Sequence, residues 1–475
     1  MTLSVNKQQR KAKIICTLGP SSARAEVITS LIRNGMDVAR LNFSHGTHDS
    51  HRRIIKLVRE ASVACRRPVA VLQDLQGIKI RVGRVLDGAV ALKKGRKLIV
   101  VPGDGVGDKE KVFISYTALL KDARKGDTIL LDDGMIRLSV LGKSGNALKT
   151  VIIEGGILKE KKGVNLPGVR ISANAFTEKD RRDLLSGIRM GIDGVAISFV
   201  RSAHDIQEMK KWLRRKKLVL PVIAKIEKPE ALGNIREILD EVDGIMIARG
   251  DLGVEMPAEE VPMIQKHLID KANSKGKTVI TATQMLESMT AHLSPTRAEA
   301  TDVANAVLDG TDALMLSAET ATGLYPVEAL RMMDRIIRHT ESLRPSVSTY
   351  TRGCTFAEAA ADAACRAAED TKSKVIVGFT QSGFTAKLLS KLRPSVPIIA
   401  FTPDEVVRNR GCFYWGVTPK IMKLPKTTDE MISEVERLLL KEKIVKKGDS
   451  IVVTSSSPLS TQGKTNFMKL HRVGE

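Results

Sequence analysis

Over the first three-quarters of the chain, short apolar runs that finish in polar residues alternate with longer stretches whose apolar positions recur every three to four residues. The runs are KIICTLG (13 to 19), VARLNFS (38 to 44), VAVLQDL (69 to 75), GVAISFV (194 to 200), VIAKIE (222 to 227), GIMIARG (244 to 250), TVITATQ (278 to 284) and ALMLSAE (313 to 319). Continuous apolar runs of this length read as strands buried on both faces. The stretches between most of them, such as EVITSLIRNG and HRRIIKLVREA, read as helices with one apolar face. Eight such strands alternating with helices predict an α/β fold, a (β/α)8 TIM barrel with its site on the loops that follow the strands.

The connection from the third run to the fourth is far longer than a barrel requires. Within it AVALKKG, RKLIVVPG, KGDTILLDDGMIRLSVLG and ALKTVIIEGG alternate and turn at glycines, which predicts an all-β domain inserted after strand 3. An insert at that edge can close over the site as a lid. After about residue 343, KVIVGFT, VPIIAFT, VTPKIM and SIVVTSS with helices between them predict a C-terminal α/β domain. The expected limits are 1–81 with 171–343 for the barrel, 82–170 for the insert and 344–475 for the last domain. A chain of 475 residues at roughly 150 per domain agrees with three.

Residues 222 to 255 hold one strand-helix-strand unit whose strand ends are charged. Lys225 and Glu227 lie two apart, as do Arg249 and Asp251, so on strands each pair faces one way. Parallel pairing brings those ends together at the carboxyl edge, where α/β folds bind ligands. Two carboxylates, Glu227 and Asp251, beside an ammonium fit an anionic substrate held through magnesium or manganese. The alternative is that Lys225 and Glu227 only pair with each other on a solvated strand end.

Other strand ends share this polarity. Arg40, Asn42 and Ser44 recur at period two before His45; Asp74 precedes Lys79 and Arg81; Thr281 and Thr283, then Ser317 and Glu319, close the last two strands. A lone hydroxyl such as Thr281 or Ser317 can be a satisfied core hydrogen bond, whereas six polar ends together point to one site.

Composition narrows the setting. No signal peptide, lipidation motif or apolar run of membrane length is visible, so a soluble protein is expected. Cys16, Cys65, Cys354, Cys365 and Cys412 show no metal-ligand spacing, which fits reducing cytoplasm. Lys plus Arg outnumber Asp plus Glu by 76 to 54, a net +22 that favours anionic partners. Nucleic acid is disfavoured because the basic residues are dispersed, the KKWLRRKK cluster reads as a solvated helix face, and only 3% of residues are aromatic.

The strings RLNFSHG, DLQGIKIR, KKGVNLPG, AKIEKPE, IMIARGDLGVE, TATQMLESM and PTRAEATDVANAVLDGTDALMLSAETATGLYP, in this order, resemble the pyruvate kinase family from about residue 11 onward. The resemblance implies transfer of a phosphoryl group from phosphoenolpyruvate to ADP, in a homotetramer. It implies that Arg40 and Lys225 grip the phosphoryl group and that Glu227 and Asp251 bind the divalent metal. The backbone around Arg249, Gly250 and Asp251, with the Thr283 hydroxyl, would hold the substrate carboxylate. Asn42, His45, Arg81 and Lys162 resemble nucleotide-phosphate contacts, and a second metal would arrive with the nucleotide. Thr283, Ser317 and Glu319 are candidates for orienting the proton that reaches the enolate.

The chain departs from the DTKGPEIR pattern of many members, with Leu75, Gln76 and Lys79 in place of Thr, Lys and Glu. In the Glu-bearing branch, residues matching Asn42, Ser44, Asp74 and Leu75 bind potassium. Lys79 can place its own ammonium there, so potassium is expected to be dispensable; the alternative is a surface charge of the hinge.

FTQSGFTAKLL (379 to 389) passes from a strand end through a turn into a helix, presenting Thr380, Ser382, Gly383 and Thr385 to an anion, or simply capping an ordinary turn. The resemblance implies a sugar-phosphate or nucleotide effector there, with SSSPLSTQGKTN (455 to 466), including Gly463 and Lys464, as the facing loop. Two other function classes share some of these features. One is a metal-dependent lyase acting through a pyruvate-like enolate; the other is an inactive phosphometabolite-binding paralogue or nucleic-acid binder.

Overall fold

The structure, a computed structural model, describes residues 10–343, 348–351, 353, 355–459 and 464–475. All eight apolar runs are strands: Lys13–Thr17, Val38–Asn42, Ala70–Asp74, Gly194–Ile197, Val222–Ile226, Gly244–Ala248, Thr278–Ala282 and Ala313–Leu316. Neighbours pair in parallel and the eighth pairs back to the first, closing the barrel. Side-chain alternation divides each strand: Ile15, Leu72, Ile223 and Met315 fill the lumen, while Ile14, Val71, Ala224 and Leu314 face the helices. Such strands carry apolar residues at both parities, as the runs predict.

The lower, amino-terminal rim repeats one device four times. Asp37, Asp193, Asp243 and Asp312 each stand immediately before an even-numbered strand. Their carboxylates accept the backbone N–H of Ile14, Val71, Val222 and Val279 on the preceding odd-numbered strand, at 2.9, 2.7, 2.9 and 2.8 Å. Each aspartate thereby satisfies a backbone donor at a strand start and fixes the register of its pair.

The insert folds around its own core, from Ile80 to Val169. Its main sheet has six strands in the order Val164–Asn165, Thr128–Leu131, Ile136–Ser144, Ala147–Glu154, Lys97–Pro102 and Lys111–Ile114. The run KGDTILLDDGMIRLSVLG is a hairpin: Asp132 and Asp133 take positive φ at its turn. On the return connection, Arg201 after the fourth barrel strand donates to the carbonyls of Ile171 and Ala173.

The C-terminal sheet has the four expected strands in the order Val417–Ile421, Ile398–Thr402, Val375–Phe379 and Ser450–Ser455. A fifth, Phe467–Arg472, adds antiparallel at the edge; its half-exposed sequence FMKLHR gives no apolar run to read. This domain meets the lower rim of the barrel, where Cys412 and Phe413 join the lumen cluster as a plug.

Candidate active site

Above the apolar layers of the lumen, the next inward position of five strands is polar. Arg40 donates from Nε to Asp74 Oδ2 at 2.8 Å and from its Nη1 to Thr17 Oγ1 at 2.8 Å. Lys225 Nζ lies 2.7 Å from Glu227 Oε1, 2.9 Å from Ser198 Oγ and 3.5 Å from Asp74 Oδ1. Glu227 Oε2 accepts the Phe199 N–H at 2.7 Å. Asp74 and Glu227 are each 1% exposed, so Lys225 and Glu227 form no solvated pair on a strand end.

The charges set one another. Burial alone would lower the Lys225 ammonium, but Asp74, Glu227 and Asp251 outweigh it and its pKa is raised. Burial would raise Asp74, yet Lys225 and Arg40 hold it below the usual carboxylate range. Glu227 is raised, first by burial and further by Asp251, against the pull of Lys225. The Glu227 and Asp251 carboxylates thus repel each other, and two neighbouring carboxylates are the oxygen donors a hard divalent cation takes, with its other ligands left to substrate oxygens.

The sixth strand ends earlier than its sequence indicates. Arg249–Glu255 is a helix, so Arg249 and Asp251 do not share a face. Asp251 is exposed at the mouth, whereas Arg249 turns away, pairing with Asp302 at 2.6 Å and donating to the Thr283 carbonyl at 2.8 Å. Thr281 is fully buried and bonds Thr311 Oγ1 at 3.0 Å, the satisfied core hydroxyl rather than a site group. Strand parity would place Thr283 outward with it. Instead Thr283 and Gln284 take φ of 68° and 53°, a costly backbone for a β-branched residue, and Thr283 Oγ1 accepts the Gly250 N–H at 2.8 Å.

Glu319 is fully buried and accepts the N–H groups of Ser317 at 2.6 Å and Leu286 at 3.1 Å, while burial raises its pKa. Ser317 Oγ is buried with no partner among the described residues. His45 is exposed on the loop after the second strand, held through its carbonyl by His51 at 2.9 Å. Its pKa is lowered by partial burial and by Lys79, Arg81 and Arg40, so several cations converge on the mouth. Lys79 itself is lowered by burial, Arg81 and Lys225, with Asp251 opposing. Lys162 stands apart, paired with Asp132 of the insert at 2.8 Å. Between insert and barrel lies a cavity of about 100 Å³ lined by Lys79, Asp133, Asn165, Arg201, Lys228 and Asp251, among others.

Thr17, Ser198, Phe199 and Asp302 belong to this constellation and were not singled out in the sequence. Parity could have found two of them, since Thr17 and Ser198 lie two beyond the lumen residues Ile15 and Ala196. In the C-terminal domain, Gly383 has φ 87° and donates to Thr380 Oγ1 at 3.0 Å, Phe384 N donates to Ser382 Oγ at 3.4 Å, and Thr385 Oγ1 meets Thr465 Oγ1 at 2.8 Å. Lys464 is exposed; Gly463 and Cys354 lie outside the described residues.

The family model described as "Pyruvate kinase, barrel domain" matches residues 9–330. The chain belongs to the pyruvate kinase family. A second model of that family, "Pyruvate kinase, alpha/beta domain", matches residues 358–471. The pyruvate kinase of Geobacillus stearothermophilus is 46% identical over 98% of this chain and 81% of its own length. That of Corynebacterium glutamicum is 44% identical over 98% of both chains. A solved pyruvate kinase from Cryptosporidium parvum is 36% identical, with a TM-score of 0.91 over 98% of this chain and 96% of that one. Membership makes the chain a phosphotransferase and leaves the lyase and inactive-binder readings without support. Pyruvate kinases generally need a divalent metal, and Glu227 with Asp251 fit one. Among the described residues, no helix is long and apolar enough to cross a membrane.

Proposed function

We propose that this chain transfers the phosphoryl group of phosphoenolpyruvate to ADP at the barrel mouth, giving pyruvate and ATP. The bond from phosphorus to the enolate oxygen breaks as one to a terminal ADP oxygen forms, and the enolate then takes a proton at its methylene carbon. Arg40 and Lys225 grip the phosphoryl group, and Lys225, kept charged by its carboxylate neighbours, offsets the charge that builds in transfer. The amides of Gly250 and Asp251 with the Thr283 hydroxyl hold the substrate carboxylate, Gly250 and Thr283 by exchanging their present bonds to Thr283 Oγ1 and the Ala282 carbonyl for it. Thr283, Ser317 and Glu319 orient the water that delivers the proton. Asn42, His45, Arg81 and Lys162 take the nucleotide phosphates, Lys162 by exchanging Asp132 for them. Magnesium or manganese on Glu227 and Asp251 would supply Lewis-acid charge to substrate oxygens.

The reading rests on Lys225, a half-buried cation at the catalytic edge of a barrel of this family, facing the acidic residues Asp74 and Glu227. Potassium is proposed to be dispensable. The oxygens that would hold it already accept protein donors: Asn42 Oδ1 from Ser44 N at 3.0 Å, Asp74 from Arg40, and the Leu75 carbonyl from Ser198 at 2.8 Å, while Lys79 adds a cation over the mouth. We further propose the limits 1–81 with 171–343, 82–170 and 344–475 for the three domains, a cytoplasmic homotetramer, and an effector phosphate at Thr380, Ser382, Gly383 and Thr385. The test is ATP formation from phosphoenolpyruvate and ADP with magnesium, in paired buffers with and without potassium. Equal rates are expected. No ATP in either overturns the kinase, and ATP only with potassium overturns the role of Lys79.

A further inference from the structure

The inserted domain and the helix Arg249–Glu255 touch at one buried polar junction. Glu255 closes that helix, and its side chain is 1% exposed. Its Oε1 accepts two donors: Nδ2 of Asn165 at 2.8 Å, from the edge strand of the insert's six-stranded sheet, and Nζ of Lys228. Lys228 directly follows Glu227 in the loop after the fifth barrel strand. One carboxylate thus joins the lid, the loop that carries one acidic site residue, and the helix that carries the other, Asp251. The insert's hairpin turn also approaches this helix: a Cβ added at Gly134 would lie 3.8 Å from Val254, the neighbour of Glu255. Asn165, Lys228 and Asp251 line the same cavity between the two bodies.

We propose that Glu255 is a positioning residue that couples closure of the inserted domain to the placement of Asp251 and Glu227, with Asn165 as the lid's half of the latch. This rests on the function proposed above. Breaking the latch loosens the lid and the helix together, without removing any group that touches substrate. A hydrogen bond to a charged acceptor is strong enough to matter by about tenfold in a rate or binding constant.

The test is a double-mutant cycle in the full chain, with Asn165→Ala, Glu255→Ala and the pair. Asn165→Ala leaves the buried Lys228–Glu255 ion pair intact, so the fold is not at risk from a stranded charge. It is expected to raise KM for both substrates about tenfold while kcat changes less than about threefold. Amide exchange in residues 249–255 should quicken, and exchange in the C-terminal sheet should not. The double variant should be no worse than Glu255→Ala alone, because either substitution already removes the Asn165–Glu255 hydrogen bond. Wild-type KM and exchange in Asn165→Ala, or fully additive effects in the double variant, would overturn the latch. Exchange is read without substrate, so the latch stands or falls separately: a wild type that makes no ATP overturns the kinase reading, not this one.

Discussion

At the lower rim of the barrel Asp312 is 1% exposed, and its oxygens are taken by Lys391 and Arg393 of the C-terminal domain at 2.5 and 2.6 Å and by the Val279 N–H at 2.8 Å. At the upper rim Glu227 is equally buried and also meets a lysine and a backbone N–H. Burial and perturbed charge therefore do not separate the two ends. What separates them is whether the carboxylates are paired. Below, one carboxylate is met by two cations, and Phe413 stops the lumen. Above, three carboxylates, Asp74, Glu227 and Asp251, face two cations, Arg40 and Lys225, and Asp251 has no ion-pair partner among the described residues. A carboxylate left unpaired at an exposed mouth is built to receive a cation, whereas one met by two cations from another domain is built to hold two domains in place.

Substitutions at the two ends should fail in different assays. Lys225→Met is expected to lower kcat about 10²–10³-fold, the scale of losing one preorganised transition-state donor, with a smaller loss of Tm than at the lower rim, because Arg40 still pairs Asp74, and Glu227, already raised, can take up a proton. Steady-state ATP formation and a thermal melt measure both. Asp312→Ala should do the reverse: it strands Lys391 and Arg393 and costs about 3–5 kcal/mol of stability, read by denaturant unfolding, while KM and kcat of the folded fraction stay near wild type.

The smallest effect is a pH dependence at the lower rim. Burial lowers Lys391 to about 8, only partly offset by Asp312. Between that value and the ordinary lysine pKa near 10.4 the unfolded chain binds the extra proton, so stability from this group rises with pH across the window and is flat below it. The stability of wild type relative to Lys391→Met should therefore increase from pH 8 to pH 10. A constant difference would show that Lys391 does not titrate there.

Most of the barrel was legible because its strands carry apolar residues at both parities, a signal that Ile14 and Ile15 or Val71 and Leu72 give without any partner. Lys225, Glu227, Arg40 and Asp74 were legible for the related reason that charge at the end of such a run has no core role to play. Period-two reasoning failed where the backbone leaves the strand. Arg249 and Asp251 were paired on one face although a helix starts at Arg249, and Thr283 reaches Gly250 only through a positive φ that no residue pattern announces. The edge strand Phe467–Arg472 was missed because it buries too little to leave a periodic mark. Asp302 and Glu255 act through partners 53 and 90 residues away in sequence, respectively, and such pairings exist only in the folded chain.

The most direct test of the contrast between the rims is the ATP-forming rate of Glu227→Gln, set beside its Tm. Burial and Asp251 already disfavour the Glu227 anion, so the amide should leave Tm unchanged or higher. The rate should fall by at least about 10²-fold, because the acidic pair is lost. A variant that keeps its rate and instead loses stability would make the upper cluster a structural lock like the lower one, and would contradict the account.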